Sequence, residues 1–298
     1  MMSRLAIILS PKGRVLPVAS IVVLIILLWY ALAVVLNAPQ VTERLNGSGA
    51  DWGFGDLVGG AWSMERPVLP SPDQIAGEFI KTTFGVAVDS KRSLVRHAGI
   101  TASATLLGFA IGTLLGMSLA AGIVHIKTLD RSLMPWIIAS QTVPILAIAP
   151  MIIVVLGNVG LTGLIPKAII SAYLCFFPVA IGMVKGLRSP DPLQLDLMRT
   201  YSADTSQTFW KLRVPASIPF LFASLKVAIA ISLVGAIVGE LPTGATAGLG
   251  ARLLTGSYYG QTVQIWSALL MAAILGAGMV YVIGGIERLT LGRSGWRP

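Results

Sequence analysis

Residues able to do acid–base, nucleophilic or metal chemistry are sparse in this 298-residue chain, and they do not cluster. His97 and His125 stand alone near the ends of apolar runs, where an interfacial or capping role suits a solitary imidazole better than metal ligation. There is no His-Glu-x-x-His pair and no Gly-x-x-x-x-Gly-Lys-Ser/Thr phosphate loop, so zinc-dependent hydrolysis and nucleotide binding both lack the residues they need. The single cysteine, Cys175, lies inside an apolar run. It excludes an intrachain disulfide and a cysteine metal centre, and reads as a buried packing residue. No enzyme activity and no cofactor are expected of this chain.

Polar side chains within apolar runs are costly and therefore informative. Ser140, Gln141 and Thr142, just before Pro144, fit two readings: they line a translocation path where a proline-loosened helix exposes carbonyls, or they hydrogen-bond between helices. Glu240, at the end of a later apolar run, reads as a structural carboxylate bonded to the glycine-rich 242–250 turn or as a gate element. Lys226, near the start of the same run, is placed to snorkel to the interface.

The elements that position these residues are membrane spans. Hydrophobic residues make up 55% of the chain and charged residues only 12%, with a mean hydropathy of +0.80, which places it among integral membrane proteins. Apolar runs at 15–36, 97–126, 133–156, 164–184, 220–241 and 263–286 predict an all-α polytopic protein with about six transmembrane helices. The first run is longer than a signal-peptide core, so despite the small residues Ala31 and Ala33 an uncleaved anchor is expected. Between 37 and 90 the chain reads as a polar, glycine-rich interval holding one amphipathic helix at 73–84, with Ile75, Phe79 and Ile80 on one side. Gly108, Gly112 and Gly116 recur every four residues and mark a helix face for close packing.

The net charge of +9 sits in short segments beside the spans, with no basic patch interleaved with aromatics, so nucleic acid is not an expected partner. Arg4, Lys12, Arg14, Lys127, Arg131, Lys185, Arg188, Arg199, Lys211, Arg213, Arg288, Arg293 and Arg297 fall on one side; Lys167 and Arg252 fall on the other. By the positive-inside rule both termini and the 187–219 stretch are cytoplasmic, although Lys91, Arg92 and Arg96 oppose this across a long loop.

The 187–219 stretch is a polar interruption built as two short helices. Asp191 is placed to cap the first, followed by Pro192, and Leu193, Leu197, Met198 and Tyr201 form its apolar stripe. Asp204 with Gln207 predicts a capping box for the second, which carries Phe209, Trp210 and Leu212. Pro215 and Pro219 are expected to end the unit.

This segment resembles the cytoplasmic loop of permease subunits of binding-protein-dependent ABC importers, whose signature runs Glu-Ala-Ala, three residues, Gly, nine residues, Ile, one residue, Leu-Pro. Asp196, Leu197 and Met198 stand at the Glu-Ala-Ala places, Ser202 at the Gly place, and Leu212, Val214 and Pro215 at the end, without a gap. Ser202 must make the turn that the family's glycine makes, with a side chain present. Leu69-Pro70-Ser71-Pro72, the 133–150 run, Phe176-Phe177-Pro178 and the 235–240 run extend the likeness over 67–291, towards the branch that imports nitrate, sulfonates, taurine, bicarbonate or thiamine precursors.

The resemblance implies a MetI-like type I permease core. It divides the chain into residues 1–66, an N-terminal cytoplasmic tail, first transmembrane helix and periplasmic loop, and 67–298, a core with a periplasmic amphipathic helix, five spans and the 187–219 coupling loop. The implied partners are a cytoplasmic ABC ATPase dimer that binds ATP and Mg, a second permease copy or paralogue, and a periplasmic substrate-binding protein, all at a bacterial inner membrane. The resemblance also assigns Asp196, Leu197, Met198, Tyr201, Ser202, Phe209, Trp210 and Pro215 to ATPase coupling. The rival from another class is an ion-coupled secondary transporter, disfavoured because no carboxylate or histidine falls at the centre of a span and no internal repeat is evident.

Overall fold

A computed structural model of the chain describes residues 15–48, 51–242 and 245–293. Arg4, Lys12, Arg14 and Arg297, which contributed to the charge-based orientation, lie outside the described residues, as does the Arg293 side chain. Every regular element among the described residues is helical: α1 (Val15–Ser48), α2 (Phe54–Ser63), α3 (Pro72–Phe84), α4 (Leu94–His125), α5 (Lys127–Ser140), α6 (Ile145–Asn158), α7 (Leu164–Leu187), α8 (Pro192–Thr200), α9 (Thr205–Thr208), a π-helical turn (Phe209–Arg213), α10 (Val214–Glu240), α11 (Leu249–Tyr258) and α12 (Thr262–Arg293). Five of these helices are long and apolar enough to cross a membrane, or six spans if α5 and α6 count as one bent pair. The chain divides into two compact units, residues up to Ala87 with Thr255–Leu270, and Val88–Leu254 with the chain from Met271 onward.

In the first unit, α1 runs well beyond the apolar 15–36 stretch, into the interval expected from Asn37 as polar and glycine-rich. The reason is that Asn37 is fully buried and fully satisfied. Its amide donates to Ala61 O (3.1 Å) and Leu69 O (2.9 Å), and its Oδ1 accepts from Val68 N (2.8 Å) and Leu69 N (3.2 Å). One side chain therefore fastens the 61–69 segment along the helix, and the cost of burying an amide is offset by four hydrogen bonds. Trp29 adds an indole bond to Pro70 O (3.0 Å) and an edge contact with Trp266. The amphipathic α3 forms as expected, with Gln74 Oε1 accepting from Ser71 N (3.2 Å), Pro72 at the first turn and Ile75 buried.

In the second unit, α4, α7 and α10 pack backbone to backbone. A β-carbon on Gly116 would stand 2.7 Å from Phe176 O and 2.9 Å from Val179 Cβ; one on Gly112 would overlap Cys175 Sγ, and one on Gly235 would meet Ser171 Cα at 2.7 Å. Small residues at these crossings are thus a steric requirement of the packing. A buried hydroxyl chain links the same helices: Ser171 donates to Ser232 (2.6–2.7 Å), Ser232 Oγ to Thr105 O (2.9 Å), and Thr105 Oγ1 to Thr101 O (2.8 Å).

Two expectations are corrected here. The 133–156 run is a broken span, its two helices α5 and α6 bent by 102° at 141–144. Pro144 has no N–H to continue the ladder, and Gln141 N and Thr142 N close back on Ile138 O and Ala139 O in a tight turn. Nor do Pro215 and Pro219 end the knob. Pro215 occupies the first turn of α10, where a missing N–H costs nothing, and the π-helical turn feeds directly into that helix; Pro219 lies inside it.

Candidate functional site

The 187–219 knob is braced at its root. Leu187, the last residue of α7, is fully buried, and its carbonyl accepts from Arg213 Nη1 at 2.9 Å, so the two strands of the knob are joined where they leave the bundle. Arg188 reaches Asp130 at the start of α5 (2.8 Å), and Ser189 Oγ caps Gly186 O (2.7 Å). In the sequence Arg188 and Arg213 are visible only as orientation charges. Their bracing role depends on partners at Asp130 and Leu187, which are distant in sequence.

Between these anchors the local sequence dictates the two short helices. Asp191 Oδ1 accepts from Leu193 N (2.8 Å), and Asp204 Oδ1 accepts from Gln207 N (2.7 Å) while Gln207 Oε1 returns to Asp204 N (3.3 Å). The first helix ends in a Schellman arrangement: Ser202 N bonds Arg199 O and Ala203 N bonds Met198 O, both at 2.9 Å. Ser202 occupies the left-handed position of this motif at φ +49°, as the resemblance to a family glycine requires.

The knob divides its apolar side chains between inside and outside. Phe209 turns inward, edge-on to His125 and packed on the cluster around Ile123, Ile137 and Leu187, while Met198 is half-buried. Leu193, Leu197, Tyr201 and Trp210 remain exposed, at 77%, 55%, 77% and 65%. Asp196 faces outward too and pairs with Arg199 (3.0 Å), a surface contact worth at most about 1 kcal/mol. Of the assigned coupling residues, Pro215 stands apart, inside the first turn of α10.

At the break between α5 and α6, Gln141, Thr142 and Pro144 are exposed. Ser140 is half-buried; its hydroxyl donates to Ile137 O (2.7 Å), and its carbonyl accepts from Tyr173 on α7 (2.7 Å), which pins the corner to the bundle.

Glu240 is fully buried at the end of the bundle opposite the knob. It accepts from Thr101 Oγ1 (2.9 and 3.2 Å) and Gly250 N (2.7 Å), with Lys167 Nζ at 3.9 Å. Thr101 Oγ1 in turn accepts from Leu249 N (2.8 Å), and His97 Nδ1 accepts from Gly248 N (2.9 Å). The His97 proton is then on Nε2, which donates to Lys91 O (3.0 Å). Side chains of α4 and α10 thereby satisfy the otherwise orphaned N–H groups at the start of α11. Lys167, read from sequence as a loop charge, is buried in the first turn of α7, and Lys226, expected to snorkel, is ion-paired with Glu287 of α12.

The fold and this site define a multi-pass helical membrane permease with no phosphate loop of its own. Residues 112–290 match the family described as binding-protein-dependent transport system inner membrane component, and the chain belongs to that family. It is an ABC transporter permease component of a binding-protein-dependent import system. It is similar to the riboflavin transport system permease protein RibX of Chloroflexus aurantiacus, 31% identical over 74% of this chain and 79% of the relative. The formylaminopyrimidine transport permease protein ThiX of Halalkalibacterium halodurans is 31% identical over 61% and 68%. The putative aliphatic sulfonates transport permease protein SsuC of Bacillus subtilis is 26% identical over 74% and 76%.

Proposed function

We propose that the knob is the surface through which a cytoplasmic ATPase dimer drives this permease. The observation that carries the reading is the group of large apolar side chains, Leu193, Leu197, Tyr201 and Trp210, left exposed on a polar segment braced at its root. Exposed aromatics on a short helix suit a helix-in-groove contact. ATP and Mg reside on the partner. Closure of the ATPases moves the knob, and the fixed Arg213–Leu187 and Arg188–Asp130 links pass that movement to α5, α7 and α10. A second permease, identical or paralogous, completes the pathway, and a periplasmic binding protein delivers the solute. The exposed corner at Gln141, Thr142 and Pro144 borders that pathway, in an inner membrane with both termini cytoplasmic. The solute is a small organic compound, a nitrogen heterocycle or a sulfonate, a choice supported by the names of the relatives.

The test is affinity purification of the tagged chain from native membranes. An ATPase subunit should co-purify, and Trp210→Ala should weaken its retention by about 2 kcal/mol, the cost of losing an aromatic anchor. Asp196→Lys should act in the same direction while both variants elute as folded protein. Transport by the chain alone, driven by an ion gradient without ATP, would replace this reading with that of a secondary transporter.

A further inference from the structure

The bundle end opposite the knob holds a cavity of about 400 Å³, lined by Ser103 of α4, the first turn of α7 with Gly163, Leu164 and Lys167, and the segment carrying Thr246. Lys167 is only 6% exposed. Among the described residues its ammonium makes one contact, the 3.9 Å ion pair with Glu240, which is too long for a hydrogen bond. An ammonium has three donors, and those of Lys167, which lines the cavity, stay open towards it. Glu240 has no need of them, since Thr101 and Gly250 already donate to it. The cation is therefore held in place by a carboxylate that does not consume its hydrogen bonds.

A second feature points the same way. The 24-residue helix α7 begins at Gly163 (φ +72°) with no side chain capping its first N–H groups, so its positive end also faces this region. We infer that this cavity is an oxyanion-binding site, in which Lys167 and the α7 N-terminus hold a carboxylate, sulfonate or phosphate group. The group belongs either to a free solute or to a lipid headgroup. The inference is independent of the coupling assignment, because it concerns the opposite end of the bundle and is read out by binding.

The test uses the full-length chain with its co-purifying subunits in phosphatidylcholine nanodiscs, titrated with radiolabelled sulfate. In parallel, native mass spectrometry of the detergent-extracted complex follows retained phosphatidylglycerol. Sulfate binding weakened roughly tenfold or more by Lys167→Met and by Thr246→Glu, but kept by Lys167→Arg, assigns a free anion. Phosphatidylglycerol held by the wild type and lost from both variants, without sulfate binding, assigns a headgroup. Thr246 is exposed, so Thr246→Glu decides if Lys167→Met fails to fold. If neither probe depends on Lys167 or on Thr246, the site is refuted.

Discussion

Glu240→Gln keeps the side-chain volume and removes one charge, and the geometry allows its cost to be worked out. The Thr101 hydroxyl accepts from Leu249 N (2.8 Å), so its single proton is committed to Glu240, and Gly250 N–H donates to the second carboxylate oxygen (2.7 Å). A carboxamide has one oxygen for these two donors. Whichever it keeps, its NH₂ faces the other, and one charge-assisted bond worth ~1.5–3 kcal/mol is lost. Lys167, 3.9 Å away and nearly buried, also loses its counter-ion. The total should be about 3 kcal/mol, the lower end of what breaking a buried pair costs. Lys167→Met should cost less, because Glu240 retains its other donors, and the double variant should fall short of the sum by ~1 kcal/mol or more. The assay is reversible unfolding in mixed micelles of mild and denaturing detergent, followed by fluorescence of the seven tryptophans. A Glu240→Gln variant within ~0.5 kcal/mol of wild type, or strictly additive variants, would refute the view that this carboxylate holds α11 in place.

Ser202→Gly should stabilise the knob by up to ~1 kcal/mol, because it removes the β-carbon penalty at φ +49°, partly offset by glycine's greater freedom when unfolded; slower amide exchange across 192–203 is the measurement. Gly112→Val should cost ~3 kcal/mol or more and sharply reduce the yield of folded protein. Cys175→Ala should recover only part of that loss, because Ala172 O would also stand 2.8 Å from the added β-carbon.

Much of the knob was legible from sequence because its structure is local. Asp191, Asp204 and Gln207 cap helices a few residues away, and the turn at Ser202 is set by the spacing of the helix it ends. The break at Pro144 is half-legible: the proline is plain, but a helix of that length can bend or stay straight, and the Tyr173 bond to Ser140 O that secures the corner comes from a different helix. The continuation of α1 past Asn37 was illegible, since an asparagine after an apolar run signals a helix end unless four partners elsewhere satisfy it.

By itself the sequence determined the class of fold, five of the spans and the position of the knob. Hydropathy, caps and prolines act over one or two turns, and a bilayer gives apolar runs little alternative to spanning helices. Tertiary structure decided which residues became partners. Lys167, Thr101, His97 and Glu240 are separated by up to 143 residues, yet they share one buried network at the start of α11. The inward turn of Phe209 and the outward exposure of Trp210 were decided in the same way. Adjacent residues with the same apolar character were sorted by which of them found a wall of Ile123, Ile137 and Leu187 to pack against.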